Sequence, residues 1–270
     1  MLQPLHGLGG YRLMNNIENV FAKGKALIPF LTVGDPSLTI TEKLVIAMAR
    51  AGADLIELGI PFSDPVAEGI VIQKADERAL AAGVTTDKIF AMVKRIREQT
   101  DVPLAFMTYM NPIFTYGKDR FFANCKACAV DAVIIPDLSF EEQHEVLPYC
   151  QMYGVNSISF IAPTSLERIC MIAQEAQGFL YCVSSLGVTG VREKITTNIE
   201  EMVALAKEIK NIPCAVGFGI STPQQAKEIS QYADGIIIGS AIVRIVEKYD
   251  VHCIEPVCEY IQTMKQAMAV

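Results

Sequence analysis

The sequence of 270 residues predicts an α/β protein built as a single-domain (β/α)8 barrel, the TIM-barrel architecture. Three observations carry that prediction. Eight short apolar, β-branched runs recur along the chain: LIPFLTV (27–33), DLIELGI (54–60), PLAFMTY (103–109), DAVIIPD (131–137), SISFIA (157–162), GFLYCVS (178–184), CAVGFG (214–219) and GIIIGS (235–240). They are too continuous for strands wetted on one face and suit a parallel sheet covered on both sides. Helical patterns separate them, and eight strand–helix units in about 250 residues fit one closed barrel. The doubly wound alternative lacks its glycine fingerprint, because the loop after the first run reads TVGDPS. GLGG at 7–10 precedes any strand and is not a nucleotide motif.

The elements follow in order. Residues 1–15 read as a loose leader and 16–270 as the barrel domain. Segments with 3.6-residue periodicity are LTITEKLVIAMARAGA (38–53), TTDKIFAMVKRIREQT (85–100), SFEEQHEVLPYCQMYG (139–154) and TNIEEMVALAKEIK (197–210). Several open on Ser or Thr with an acid soon after, as a helix N-terminus prefers. Gly52, Gly83 and Gly154 stand where left-handed caps are wanted. IPFSDPVAEGIVIQ (60–73) reads as a stiff, acid-bearing loop over the barrel mouth.

Composition excludes several functions. Apolar residues make up 51% and the net charge is −7 without a basic run, which argues against disorder and nucleic-acid binding. No run reaches the ~18 residues of a membrane span and no secretory pattern opens the chain, so a cytoplasmic protein is expected. The eight cysteines then read as reduced thiols. Cys125 and Cys128, and Cys253 and Cys258, lack the second pair or histidines of a zinc site, so no metal is expected. With only His6, His144 and His252, histidine-based hydrolysis is disfavoured.

Chemistry in such a barrel gathers at the C-terminal strand ends. The polar residues there are Asp35, Glu57, Asp64, Glu68, Tyr109, Asn111, Asp137, Thr164, Tyr181, Ser184 and Thr189. No Lys, Arg or His lies within the eight runs, so a strand-borne Schiff-base lysine is excluded and acid–base work falls to carboxylates. Glu57 interrupts the apolar run DLIELGI; pointing into the barrel it would be costly to ionise and suited to acid–base work. Spacing alone leaves open whether it points there or outward against the helices. LGVTG (186–190), VGFGIS (216–221) and GSAIVRIV (239–246) place glycine-rich turns after strands six to eight, the recurrent phosphate site of barrels.

These residues also carry a family resemblance. PFLTVGDPS (29–37), ADLIELGIPFSDP (53–65), MTYMNPIF (107–114), IIPDL (134–138), GVTG (187–190) and VGFGIST (216–222) occur in order, and through them residues 24–250 resemble the alpha subunits of tryptophan synthase. The resemblance implies a carbon–carbon lyase that cleaves indole-3-glycerol phosphate to indole and glyceraldehyde 3-phosphate. It also implies an α2β2 complex in which pyridoxal phosphate belongs to the beta partner and the alpha subunit uses no cofactor. By motif, Glu57 takes the place of the catalytic acid–base residue and Glu68 that of the loop carboxylate facing the indole N–H. Phe30, Tyr109, Tyr181 and Thr189 would contact substrate; Gly190, Gly219, Gly239 and Ser240 would hold its phosphate. Pro61, Asp64, Asn111, Phe114 and Asp137 would face the beta subunit. Three positions depart from the family pattern: Glu68 replaces Asp, Ile70 replaces Pro and Ser185 replaces Arg. They motivate the alternative of a weakened alpha-like subunit that mainly binds ligand and activates its partner.

Overall fold

The computed structural model describes residues 17–163, 165–183, 198–217 and 219–269. The expected leader, with Thr164, Ser184, Ser185, Thr189 and Gly190, lies outside them. Eight parallel strands close in chain order: β1 (Ala26–Thr32), β2 (Ile56–Gly59), β3 (Leu104–Met107), β4 (Ala132–Ile134), β5 (Asn156–Ile161), β6 (Leu180–Val183), β7 (Cys214–Gly217) and β8 (Gly235–Ile238). β8 pairs with β1, so no edge is left open. Each apolar run therefore holds one strand.

Around the strands lie α1 (Ile17–Ala22), α2 (Leu38–Ala51), α3 (Ile70–Ala81), α4 (Thr86–Arg97), α5 (Met110–Tyr116) and α6 (Lys118–Ala127). The outer ring continues with α7 (Leu147–Tyr153), α8 (Leu166–Glu175), α9 (Asn198–Ile209), α10 (Pro223–Ile229), α11 (Ser240–Tyr249) and α12 (Ile254–Met268). Of the predicted caps, Thr85 Oγ1 accepts from the Lys88 N–H at 3.4 Å to start α4, and Gly52, at φ +112°, ends α2 by donating to the Ala49 and Met48 carbonyls. Ser139, by contrast, makes no side-chain cap hydrogen bond. α2 itself starts at Ser37, whose Oγ accepts from the Ile40 N–H at 3.3 Å.

Two expectations are corrected. The pattern over 139–154 is two elements, a 3-10 helix (Phe140–Glu145) followed by α7, broken at Val146. Pro148 is the cause: it has no N–H for the carbonyl one turn back, so it fits the start of a helix and not its middle. The 60–73 segment is a loop only as far as Gly69, because Ile72 and Gln73 already donate to the Gly69 carbonyl at 3.0 and 3.1 Å. Ile70 is thus the first residue of α3, 63% exposed, and its exchange for Pro affects a helix start rather than a loop.

Closure of the barrel sorts side chains into two cores. Leu27, Leu31, Ile56, Leu58, Leu104 and Phe106 point outward into the helix-facing core. Ile28, Phe30, Leu55, Ala105, Met107, Ala132, Ile134, Tyr181, Ala215 and Ile237 fill the barrel interior. Polar contacts at the N-terminal end stabilise the fold away from the mouth. Asp131 Oδ2 there accepts from Leu104 N–H at 2.9 Å and pairs with Arg97 at 3.2 Å.

Candidate active site

Glu57 lies on β2 two residues after Leu55, which immediately precedes the strand, and the two-residue alternation gives both the same face. Leu55 belongs to the interior core, and the register sets Glu57 beside Phe30 and Ala105, both interior residues. Glu57 therefore points into the barrel, which closes the question its spacing left open. It is fully buried, and neither carboxylate oxygen has a hydrogen-bond partner among the described residues. Burial, reinforced by the neighbouring charge of Glu68, pushes its pKa up to about 8.

Glu68 closes the mouth from the β2–α3 loop and is 5% exposed. Gln73 Nε2 donates to its carbonyl at 2.8 Å, and the preceding Ala67 N–H donates to the Tyr109 hydroxyl at 3.2 Å. Tyr109 ends β3's extension at the α5 N-cap and packs on Phe62, ring centroids 5.3 Å apart. Burial raises the Glu68 pKa, against hydrogen bonds from Asp76 and Tyr109 that lower it. Burial of the Tyr109 phenol, with the Glu68 charge, holds that hydroxyl protonated.

Two aromatic residues form the apolar wall. Phe30 is 3% and Tyr181 5% exposed, and Tyr181 packs against Phe160 at 4.8 Å. Glycines make room for both rings. A Cβ on Gly59 would stand 2.5 Å from Phe30, and one on Gly217 would stand 2.5 Å from Tyr181. At the β8 end, Gly239 caps α11 and Ser240 begins it, so the first-turn N–H groups point toward the mouth. Gly219, at φ +80°, stands in the loop after β7.

The other site candidates divide by environment. Asp64, Asn111, Phe114 and Asp137 are exposed around the mouth, Phe114 to 71%, whereas Pro61 is buried. Asp137 accepts from the Met110 N–H at 3.0 Å and so caps α5 from the neighbouring loop. Asp35 is drawn away from the site, since Arg78 donates to both its carboxylate oxygens at 2.8 Å. His144 and His252 are exposed on the outer ring, and no metal-holding cluster exists among the described residues. Cys125 and Cys128 are buried apolar residues, as expected.

Sequence reasoning overlooked Asp76 and Phe160. Asp76 sits on α3 with Ile72, Ala75 and Ala79 as its buried residues, a helical spacing that marks its inward face. It is 3% exposed and hydrogen-bonded to Glu68; burial first, then the Glu68 charge, push its pKa up to about 9. Phe160 shares the face of Ile158 on β5.

An interior carboxylic acid, a second buried carboxyl on the loop above it and an aromatic-lined interior together suit proton transfer to a substrate in the barrel mouth. Residues 18–269 match the sequence family described as tryptophan synthase alpha chain. The chain belongs to that family. A tryptophan synthase alpha chain from Lacticaseibacillus casei is 48% identical over 87% of this chain and 89% of its own length. The crystal structure of the tryptophan synthase alpha subunit from Legionella pneumophila str. Paris superposes with TM-score 0.86. It is 37% identical, over 94% of this chain and 98% of that one. The tryptophan synthase complex from Pyrococcus furiosus contains a similar chain, TM-score 0.82 and 34% identical, over 90% of this chain and 99% of its own. Tryptophan synthase alpha chains are thus its relatives in both sequence and fold, along nearly the full length.

Proposed function

We propose that this alpha chain cleaves indole-3-glycerol phosphate to indole and glyceraldehyde 3-phosphate, the alpha reaction of L-tryptophan synthesis. One observation carries the reading: Glu57 is a fully buried carboxyl with no hydrogen-bond partner among the described residues, held protonated near neutrality on the wall of an aromatic-lined interior. In this reading Glu57 gives its proton to C3 of the indole ring. The ring nitrogen takes up the positive charge, and Glu68 accepts a hydrogen bond from its N–H. The C3–C1′ bond then breaks, its electron pair returns to the ring, and the C1′ hydroxyl gives its proton to the Glu57 carboxylate. The aldehyde product is released with Glu57 again protonated. The protonated ring acts as the electron sink, so the reaction needs neither a strand lysine nor a cofactor in this subunit.

Phe30 and Tyr181 would flank the indole, Tyr109 would hold the Glu68 loop, and Thr189 would meet the loop carboxylate. Gly190, Gly219, Gly239 and Ser240 would bind the phosphate through N–H groups and a hydroxyl. The exposed Asp64, Asn111, Phe114 and Asp137, with the Pro61 turn beneath them, would dock a beta subunit carrying pyridoxal phosphate, in an α2β2 assembly. The Pyrococcus furiosus complex supports such a partner. No described helix is long and apolar enough to cross a membrane, which agrees with a cytoplasmic biosynthetic enzyme. Indole release from indole-3-glycerol phosphate, with and without beta subunit, tests the reading. Release accelerated by the partner is expected, and none under either condition would overturn it.

A further inference from the structure

Glu68 carries one methylene more than the aspartate of the family pattern, and Asp76 stands on the inner face of α3 against it. Both side chains are buried and hydrogen-bonded to each other, yet Glu68 Oε2 has no partner among the described residues. The loop main chain is fixed on either side of Glu68, by Tyr109 at Ala67 and by Gln73 at the Glu68 carbonyl. The longer side chain must therefore be accommodated by its own conformation, not by a shift of the loop.

We propose that Asp76 is a positioning residue: it keeps the one proton of the Glu68–Asp76 pair and donates it to one Glu68 oxygen, leaving Glu68 ionised with its other oxygen presented to the indole N–H. The inference rests on the cleavage reading above and deepens it. Two adjacent buried carboxyls do not both ionise, and the group with the more strongly held proton becomes the donor. Asp76 is that group: it lies on the apolar inner face of α3 with Ile72, Ala75 and Ala79, whereas Glu68 also accepts from the Tyr109 hydroxyl, and burial with the Glu68 charge raises Asp76 accordingly. The bond draws the glutamate carboxylate back toward α3, which offsets the added methylene.

The surroundings leave this arrangement intact. Glu57 on β2 and the Tyr109 and Tyr181 phenols face Glu68, and all three are held toward their protonated forms. Thr32 of β1 and the Phe62 backbone face Asp76 and favour its ionised form, a smaller effect than the burial and the Glu68 contacts that raise it. Of the two cations two residues from Asp76 on α3, Lys74 is exposed and Arg78 is engaged by Asp35 and by Glu247 of α11.

The test uses full-length wild type, Asp76→Asn and Asp76→Ala, assayed for indole release with saturating beta subunit and for thermal unfolding, from pH 6 to 10. Asp76→Ala should lower kcat about tenfold or more, with a smaller change in KM, as for a misplaced catalytic group. Asp76→Asn should recover most of the rate, because its amide donates the same bond. In wild type the logarithm of kcat/KM should fall with slope −1 from about pH 8, through Glu57, and with slope −2 beyond about pH 9, through Asp76. Asp76→Asn should keep slope −1, and its unfolding temperature should fall less with rising pH. Wild-type kcat in Asp76→Ala, or an Asp76→Asn enzyme as slow as Asp76→Ala while equally stable as wild type, overturns the proposal. If wild type releases no indole, the cleavage reading fails on its own. The unfolding curves then still decide the pair, and parallel curves for wild type and Asp76→Asn overturn it.

Discussion

Gly217 on β7 lies flat against the ring of Tyr181 on β6, so close that a Cβ would stand 2.5 Å from a ring carbon and 2.8 Å from the hydroxyl. The ring cannot yield easily, because it is buried and already packed on Phe160. Gly217→Ala should therefore destabilise the protein by about 1–3 kcal/mol, as overpacking does, and raise KM through a displaced Tyr181. Thermal unfolding and steady-state kinetics check both effects, and a variant with wild-type KM would remove Tyr181 from the substrate wall.

Glu57→Gln should abolish cleavage while preserving the fold, since loss of a general acid costs about 10²–10⁴ in rate. A variant that kept a tenth of wild-type turnover would falsify the assignment.

The same residue sets a pH dependence. Its folded pKa of about 8 lies above the ordinary 4.5, so its contribution to stability is fully present below pH 4.5 and is lost as pH rises toward 8. Wild type should thus lose more stability than Glu57→Gln across that window, by at most about 1.4 kcal/mol per pH unit. Cleavage should fall above about pH 8, where Glu57 gives up the proton it donates. Chemical denaturation at several pH values and a pH–rate profile measure these.

Glu68→Asp tests whether the enzyme is adapted to its longer acid. The loop is pinned by Tyr109 and Gln73, so a shorter carboxylate falls short of both Asp76 and the indole N–H. A rate loss on the order of tenfold or more is expected, in line with removal of a positioned charge–hydrogen bond. A clear rate increase with beta subunit present would instead mark the glutamate as a degraded aspartate.

Gly239→Val should weaken binding of glycerol phosphate, measured by calorimetry. A Cβ here would stand 3.4 Å from Phe30, an ordinary contact, so the valine fits, and its methyls add bulk beside the α11 N-terminus where the phosphate would lie. Unchanged affinity would place the phosphate elsewhere.

Phe114→Asp should loosen the complex with a beta subunit without touching the alpha chain's own stability, because this large apolar side chain is 71% exposed. Gel filtration of the mixed subunits at micromolar concentration checks it, and unaltered co-elution would move the interface away from α5.

The chain's local rules were legible residue by residue. Continuous β-branched runs announced eight strands, and Gly52 announced the end of α2. Glu57 stood out because it alone is charged amid an apolar strand core. What sequence could not determine was direction and partnership. In a strand buried on both faces, the two faces are equally apolar, so the period-two pattern carries no mark of inside or outside. Only closure of β8 onto β1 assigned Glu57 to the interior. Partnership across the chain was equally silent: Arg78 withdrew Asp35 from the candidate acids, and α3 delivered Asp76 to Glu68. Such pairs depend on where helices settle on the barrel, which is fixed by packing of the whole ring of side chains and by no short stretch of sequence.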